Sequence, residues 1–183
     1  ESRGAQALVI GPGLGHDDAT LSAVSEILRM SSDNNIPVVI DADAINTLPS
    51  GSWPDGLSGV ATPHAKEAER WLGTTSPADA LNDCSGEAVT IVVTGPEDEL
   101  TGPEGRSCRA SGGHSRMAVG GTGDLLAGTI GGLLAQGMEA WPAARLGCAL
   151  LRESGARAAE STGPGLLAED VPVEIARVLA EWT

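Results

Sequence analysis

Phenylalanine and tyrosine are absent from this 183-residue chain, and lysine occurs once, at Lys66. Every other side chain that is cationic at neutral pH is an arginine, and 11 cations face 25 acids for a formal net charge of -14. A surface of that sign repels phosphate backbones and argues against nucleic-acid binding. The acidic excess, the near-absence of lysine and the abundance of alanine and glycine point to a salt-loving, GC-rich source such as a halophilic archaeon. Cysteine is also scarce. Cys84, Cys108 and Cys148 are odd in number and widely spaced, without the close pairs of a zinc site or a disulfide framework, as suits a reducing cytoplasm. No signal-like leader is visible. The most apolar stretch, from Leu125 to Met138, is too short and glycine-rich to span a bilayer, so a soluble cytoplasmic protein is expected.

What is present suits one sizeable core, which makes a single domain over residues 1–183 the expectation. The first residue is Glu1 rather than Met, and a strand-like run follows by Ala7, as in a fragment or a processed product. Ala7 to Ile10 is a continuous apolar run that stops at Gly11-Pro12-Gly13, the pattern of a buried parallel strand entering a turn. Leu21, Val24, Ile27 and Leu28 then recur at helical spacing between Asp17 and Met30. The unit repeats. Pro37 to Ile40 reads as a strand before a short helical segment around Ala44 to Leu48, and Gly59 to Ala61 precedes a helix from Ala65 to Leu72. A fourth strand, Thr90 to Val93, ends at Thr94-Gly95-Pro96. Strands alternating with helices predict an α/β fold, a mostly parallel sheet with helices on both faces. Leu100 to Ala110 is turn-rich and reads as a hairpin. From Thr122 onward the chain reads as helices, over Asp124 to Gln136, Ala140 to Ser161 and Val171 to Trp182.

In an open parallel sheet ligands bind beyond the carboxyl ends of the strands. That rule selects four loops: Gly11 to Gly15, Asp41 to Asp43, Thr62 to Glu67, and Thr94 to Asp98. Gly-Pro-Gly-Leu-Gly allows close approach of a ligand to main-chain amides, or serves as a plain turn; no Lys-Ser or Lys-Thr follows, so it is not a Walker loop. Gly121, Thr122 and Gly123 open an apolar helix, where unpaired amides and the helix dipole form an anion hole. Asp124 then sits where a carboxylate can take a proton from an attacking hydroxyl, or is merely an acid favoured in a first helical turn. His64 and Glu67, three residues apart, are ligand contacts or a helix-start pair. Asp41 and Asp43 could orient a magnesium ion or a substrate hydroxyl, or cap the short helix that follows. No metal ligand is assigned.

The order of these pieces is more specific than any one of them. Ala7 to Gly15, Val39 to Ala44, Thr-Pro-His-x-x-Glu at Thr62 to Glu67, and Gly-Gly-Thr-Gly-Asp-x-Leu-Ala-Gly at Gly120 to Gly128 resemble the motifs of the ADP-dependent NAD(P)H-hydrate dehydratases, in sequence and spacing. The resemblance runs from Ala7 to the C-terminus and lacks the N-terminal portion of that domain. It implies a ribokinase-like fold with Gly15, His64 and Asp124 contacting the hydrated nucleotide and Asp124 acting as base. It further implies that Gly123 and the loop Thr94, Gly95, Pro96, Glu97, Asp98 hold the AMP part of ADP. Magnesium and ADP are the implied cofactor and co-substrate, and the reaction is repair of NAD(P)H hydrate to NADH or NADPH. A homo-oligomer and a fused or partnering epimerase are compatible with it. The family's loop opens with Lys-Gly, whereas Thr94-Gly95 stands here, which removes a charge near the transferring phosphoryl group. Two alternatives remain open. One is a small-molecule kinase of the same fold, of the hydroxyethylthiazole or hydroxymethylpyrimidine type; the other is an inactive nucleotide-binding module.

Overall fold

A computed structural model describes residues 4–80 and 89–183. Cys84 therefore lies outside the described residues. Six strands form one sheet in the order β1-β2-β3-β4-β5-β6. β1 (Leu8–Ile10), β2 (Val38–Ile40), β3 (Gly59–Ala61) and β4 (Val89–Val93) pair in parallel, while β5 (Asp98–Gly102) and β6 (Arg106–Ala110) add an antiparallel hairpin. Strands that follow one another across a sheet in chain order, joined by crossovers of one hand, put all their connecting segments on the same face. α1 (Asp18–Asp33), the 3-10 turn Ala42–Thr47 and α2 (Ala65–Leu72) accordingly share one hydrophobic cluster with Val38, Ile40, Ala61, Val89 and Ile91. α3 (Pro77–Ala80) is a single short turn before β4.

Side chains alternate across a strand, so Val39, Val60 and Val92 point the other way. They meet α4 (Thr122–Ala135) and α5 (Ala140–Thr162), and α6 (Pro172–Trp182) packs outside α5. The sheet is thus covered on both faces, as the alternating sequence pattern predicts. Without phenylalanine or tyrosine, the core is aliphatic, with Ile40, Ile91, Ile130 and Leu150 fully buried at roughly 1.5–3 kcal/mol each. Trp53 and Trp71, with centroids 6.3 Å apart, supply its aromatic bulk, and the Nε1–H group of Trp53 donates to the Leu57 carbonyl at 2.6 Å. Among the described residues no helix is long and apolar enough to cross a membrane.

Candidate active site

Parallel pairing sends the four loops selected from the sequence out of one edge of the sheet. The first is forced to be glycine-rich by contact. Gly11 has φ 138°, and a Cβ there would lie 1.6 Å from the Asp41 carbonyl oxygen, so only glycine lets the first and second strand ends approach this closely. The Gly15 amide donates to Asp43 Oδ2 at 2.8 Å, and His16 Nε2 lies 3.2 Å from Asp43 Oδ1. Asp43 therefore anchors the glycine loop. Asp41 stands at the cap position of the following turn, yet its side chain makes no capping hydrogen bond.

At the third strand end His64 caps α2: its Nδ1 accepts from the amides of Lys66 and Glu67 at 3.1 and 3.3 Å. Glu67 Oε2 accepts in turn from the His64 amide at 2.9 Å. Since Nδ1 is an acceptor, the neutral ring carries its proton on Nε2. The helix-start pairing is realised, and 55% of the His64 side chain stays exposed to a ligand. The Thr94 amide donates to the Pro63 carbonyl at 2.9 Å, and His64 and Thr94 form a parallel bridge, so the third and fourth loops lie side by side.

α4 approaches this edge with its N-terminus. Its cap residue is Gly121, no side chain caps it, and the Thr122 hydroxyl turns back to the Val119 carbonyl at 3.0 Å. The first-turn amides thus keep the positive end of the helix dipole open to an anion. Asp124 is exposed in that turn. Asp41 is buried behind it. Burial pushes its carboxyl above the usual range, the negative charges of Glu67 and Asp124 add to the effect, and the Thr62 hydroxyl and Ala42 amide oppose it.

Beside this acidic edge lies a cavity of about 630 Å³. One wall is the fourth loop, through Thr94, Gly95, Pro96 and Asp98; the opposite wall is the start of α4, through Thr122, Gly123 and Leu126. The segment after β6 closes it with Gly112, Gly113, His114 and Met117, and α5 forms its floor with Leu151 and Arg152. Met117 is seated in a notch at Gly155, where an added methyl would sit 2.3 Å from its sulfur. Gly121 and Asp124 flank the cavity, Glu97 is exposed on the loop outside its lining, and Gly15 and His64 sit on neighbouring loops off the lining. The Asp98 carboxylate faces Arg152 across an ion pair of 2.7 Å. His114, Met117 and Arg152 carry no motif; the one signal in the sequence is a charge at Arg152 on the stripe formed by Cys148, Leu151 and Gly155.

A family model described as NAD(P)H-hydrate dehydratase matches residues 1–177. The chain belongs to the NAD(P)H-hydrate dehydratase family. Within it, the chain is 36% identical over 170 residues to an ADP-dependent (S)-NAD(P)H-hydrate dehydratase of Haloterrigena turkmenica, covering 93% of this chain and 62% of the relative. A bifunctional NAD(P)H-hydrate repair enzyme of Coxiella burnetii is 36% identical over 177 residues, 91% of this chain and 35% of that protein. The chain therefore spans about a third of the bifunctional relatives it matches. Among solved structures, the Bacillus subtilis ADP/ATP-dependent NAD(P)H-hydrate dehydratase co-crystallised with ATP and Mg2+ superposes with a TM-score of 0.81 at 25% identity, covering 97% of this chain and 65% of that one. Arabidopsis thaliana ribokinase, at 13% identity and a TM-score of 0.64 over 96% of this chain and 56% of its own, shares the fold alone. The fold is ribokinase-like.

Proposed function

We propose that this domain carries out ADP-dependent dehydration of NADH and NADPH hydrates. The observation that carries the reading is the shared cavity: the fourth strand-end loop and the uncapped start of α4 enclose one space, and Asp124 follows the lining residues Thr122 and Gly123 in the same helical turn. A nucleotide lying along Thr94 to Pro96 would direct its terminal phosphate at the amides of Thr122 and Gly123. Glu97 and Asp98 belong to that loop, although Glu97 is outside the lining and the Asp98 carboxylate faces Arg152. The hydrate would lie toward Gly15 and His64, with its hydroxyl beside Asp124. Asp124 takes the hydroxyl proton as the oxygen attacks the terminal phosphorus of ADP, releasing AMP. Elimination then breaks the ring carbon–oxygen bond, releasing inorganic phosphate, and the neighbouring carbon–hydrogen bond, whose electrons form the ring double bond of NADH or NADPH while its proton passes to the phosphate or to water; phosphate is a better leaving group than hydroxide.

Asp41 and Asp124 offer the oxygen ligands that magnesium takes. Among the described residues no group of three His, Cys, Asp or Glu side chains could hold a metal ion, so ADP phosphate oxygens would complete the set. Bound there, magnesium would screen the diphosphate charge. An epimerase, fused or separate, would supply the correct hydrate epimer, and a cytoplasmic setting and homo-oligomer fit the same role. The acidic surface fits a salt-loving source, and charge screening shortens from about 10 Å at 0.1 M salt to about 3 Å at 1 M. Melting temperatures therefore rise between those concentrations; level values would sink that attribution.

The test of the reaction is to follow reduced-nicotinamide absorbance with NADH hydrate, magnesium and the protein, with and without ADP. Recovery that needs ADP supports the reading, whereas a stable phosphorylated substrate identifies a kinase. No turnover alongside tight ADP binding leaves a nucleotide-binding module.

A further inference from the structure

We infer that Arg152 is a positioning residue for the nucleotide, acting through the two loops it joins and not on the phosphates; this rests on the nucleotide reading of the cavity. A guanidinium has five N–H groups in one plane. In Arg152 each has a protein acceptor: Nε donates to Asp98 Oδ2 at 2.8 Å, and Nη1 donates to the carbonyls of Pro96 and Gly112, both at 2.9 Å. Nη2 donates to the Gly95 carbonyl at 2.9 Å and lies 2.7 Å from Asp98 Oδ1. The pair is buried, with 12% of the Arg152 and 8% of the Asp98 side chain exposed. No donor remains for a ligand.

The carbonyls of Gly95 and Pro96 come from one wall of the cavity and that of Gly112 from the segment that closes it. Arg152, on the floor, is thus the tie that sets their spacing. Asp98 shapes the same loop from within, since its Oδ1 also accepts from the Gly95 amide at 3.2 Å. The charge of Arg152 is spent on Asp98 in a bidentate pair, so it contributes little net field to a diphosphate. Lysine cannot replace it, because three donors on a tetrahedral ammonium cannot meet five acceptors that lie around one plane.

The experiment is Arg152→Lys, which keeps the charge opposite Asp98 and so keeps that carboxylate from being buried alone. AMP and ADP binding are measured by calorimetry, followed by kcat and KM for both substrates. AMP and ADP each bind about tenfold to a hundredfold more weakly, by the same factor, because misplaced walls affect both alike. The hydrate KM and kcat at saturating ADP stay within about threefold, a split that general destabilisation would not produce. Asp98→Asn, which keeps the volume and removes the charge, gives a smaller loss of AMP affinity, and AMP is its readout because the unpaired Arg152 charge then attracts the more highly charged diphosphate of ADP; it stands in if the lysine variant fails to fold. Unchanged AMP and ADP affinity overturns the proposal. So does a loss confined to ADP, which would mean direct contact with the diphosphate. If the unaltered protein binds neither nucleotide, the nucleotide reading itself fails, and the proposal with it.

Discussion

The proposed nucleotide side of the cleft, around Thr94 and Arg152, and the proposed acceptor side, around Gly15 and His64, are both built on strand-end loops, yet different contacts hold them. On the nucleotide side one buried ion pair binds the loop after β4 and the segment after β6 to α5, across 40 to 57 residues of sequence. On the acceptor side the ties are fewer and less buried: Asp43 holds the half-buried Gly15 amide across 28 residues and pairs with the exposed His16, and His64 and Glu67 cap each other locally. Leu14, at 37% exposure, lies on the glycine loop of that side. Charge pairs desolvated together hold geometry at the cost of strict complementarity, whereas capping bonds at a loop edge yield to the ligand. On the proposed reading the nucleotide side is the preformed half, and the acceptor side is the half left to settle around its substrate.

Asp124 stands between the two halves, and its removal is the largest expected effect. Asp124→Asn lowers turnover by about 10²-fold to 10⁴-fold, the usual loss with a general base, while ADP binding survives. Stability changes by at most about 1 kcal/mol, the scale of a helix-end charge. Near-normal turnover in a variant that still binds ADP would return Asp124 to the role of a first-turn acid. Asp43→Ala tests the acceptor side alone: freeing the Gly15 loop raises the hydrate KM about tenfold, the loss of one charged hydrogen bond, with ADP affinity unchanged. An equal loss for both substrates would erase the distinction between the halves.

Smaller effects sharpen it. Thr94→Lys adds an ammonium to the cavity wall and tightens ADP about fivefold, as roughly 1 kcal/mol of partly exposed charge attraction would. Calorimetry reading no gain would place residue 94 away from the phosphates. The least effect is on stability with pH. The buried Asp41 carboxyl is held above its ordinary 3.8, so protonated Asp41 favours the fold below that value, and the benefit is lost as pH rises through the folded value. Asp41→Asn therefore raises the melting temperature at neutral pH in metal-free buffer, and the gain fades on acidification below the ordinary value. A gain that is constant with pH would contradict burial as the cause.

The strands were readable because buried parallel strands are short apolar runs that stop at glycine or proline. The run Thr90 to Val93 falls within one residue of Val89–Val93, and turn residues mark the hairpin after it. Helix ends were less clear. α1 continues past Met30 to Asp33, held by the Ser31 hydroxyl on the Ile27 carbonyl and by Arg29 on Asp33, contacts that apolar periodicity does not record. α4 begins at Thr122, where the glycines that open it mark the start although no side chain caps it. In the site, the strand-end loops could be read since topology alone places them. Arg152 could not, because its partners lie far away in sequence and nothing near it marks a ligand.

The hairpin of β5 and β6 has a consequence of parity. β4 runs toward the carboxyl edge, β5 runs back, and β6 returns to the edge at which β4 ended. Two reversals cancel, and so Gly112 to Met117 emerge on the same side as Thr94 and can face it across the cavity. An insertion between β4 and α4 is thus tolerated only in strand pairs. A single added strand would deliver that segment to the opposite edge of the sheet, and the cavity would lose a wall although every strand remained paired.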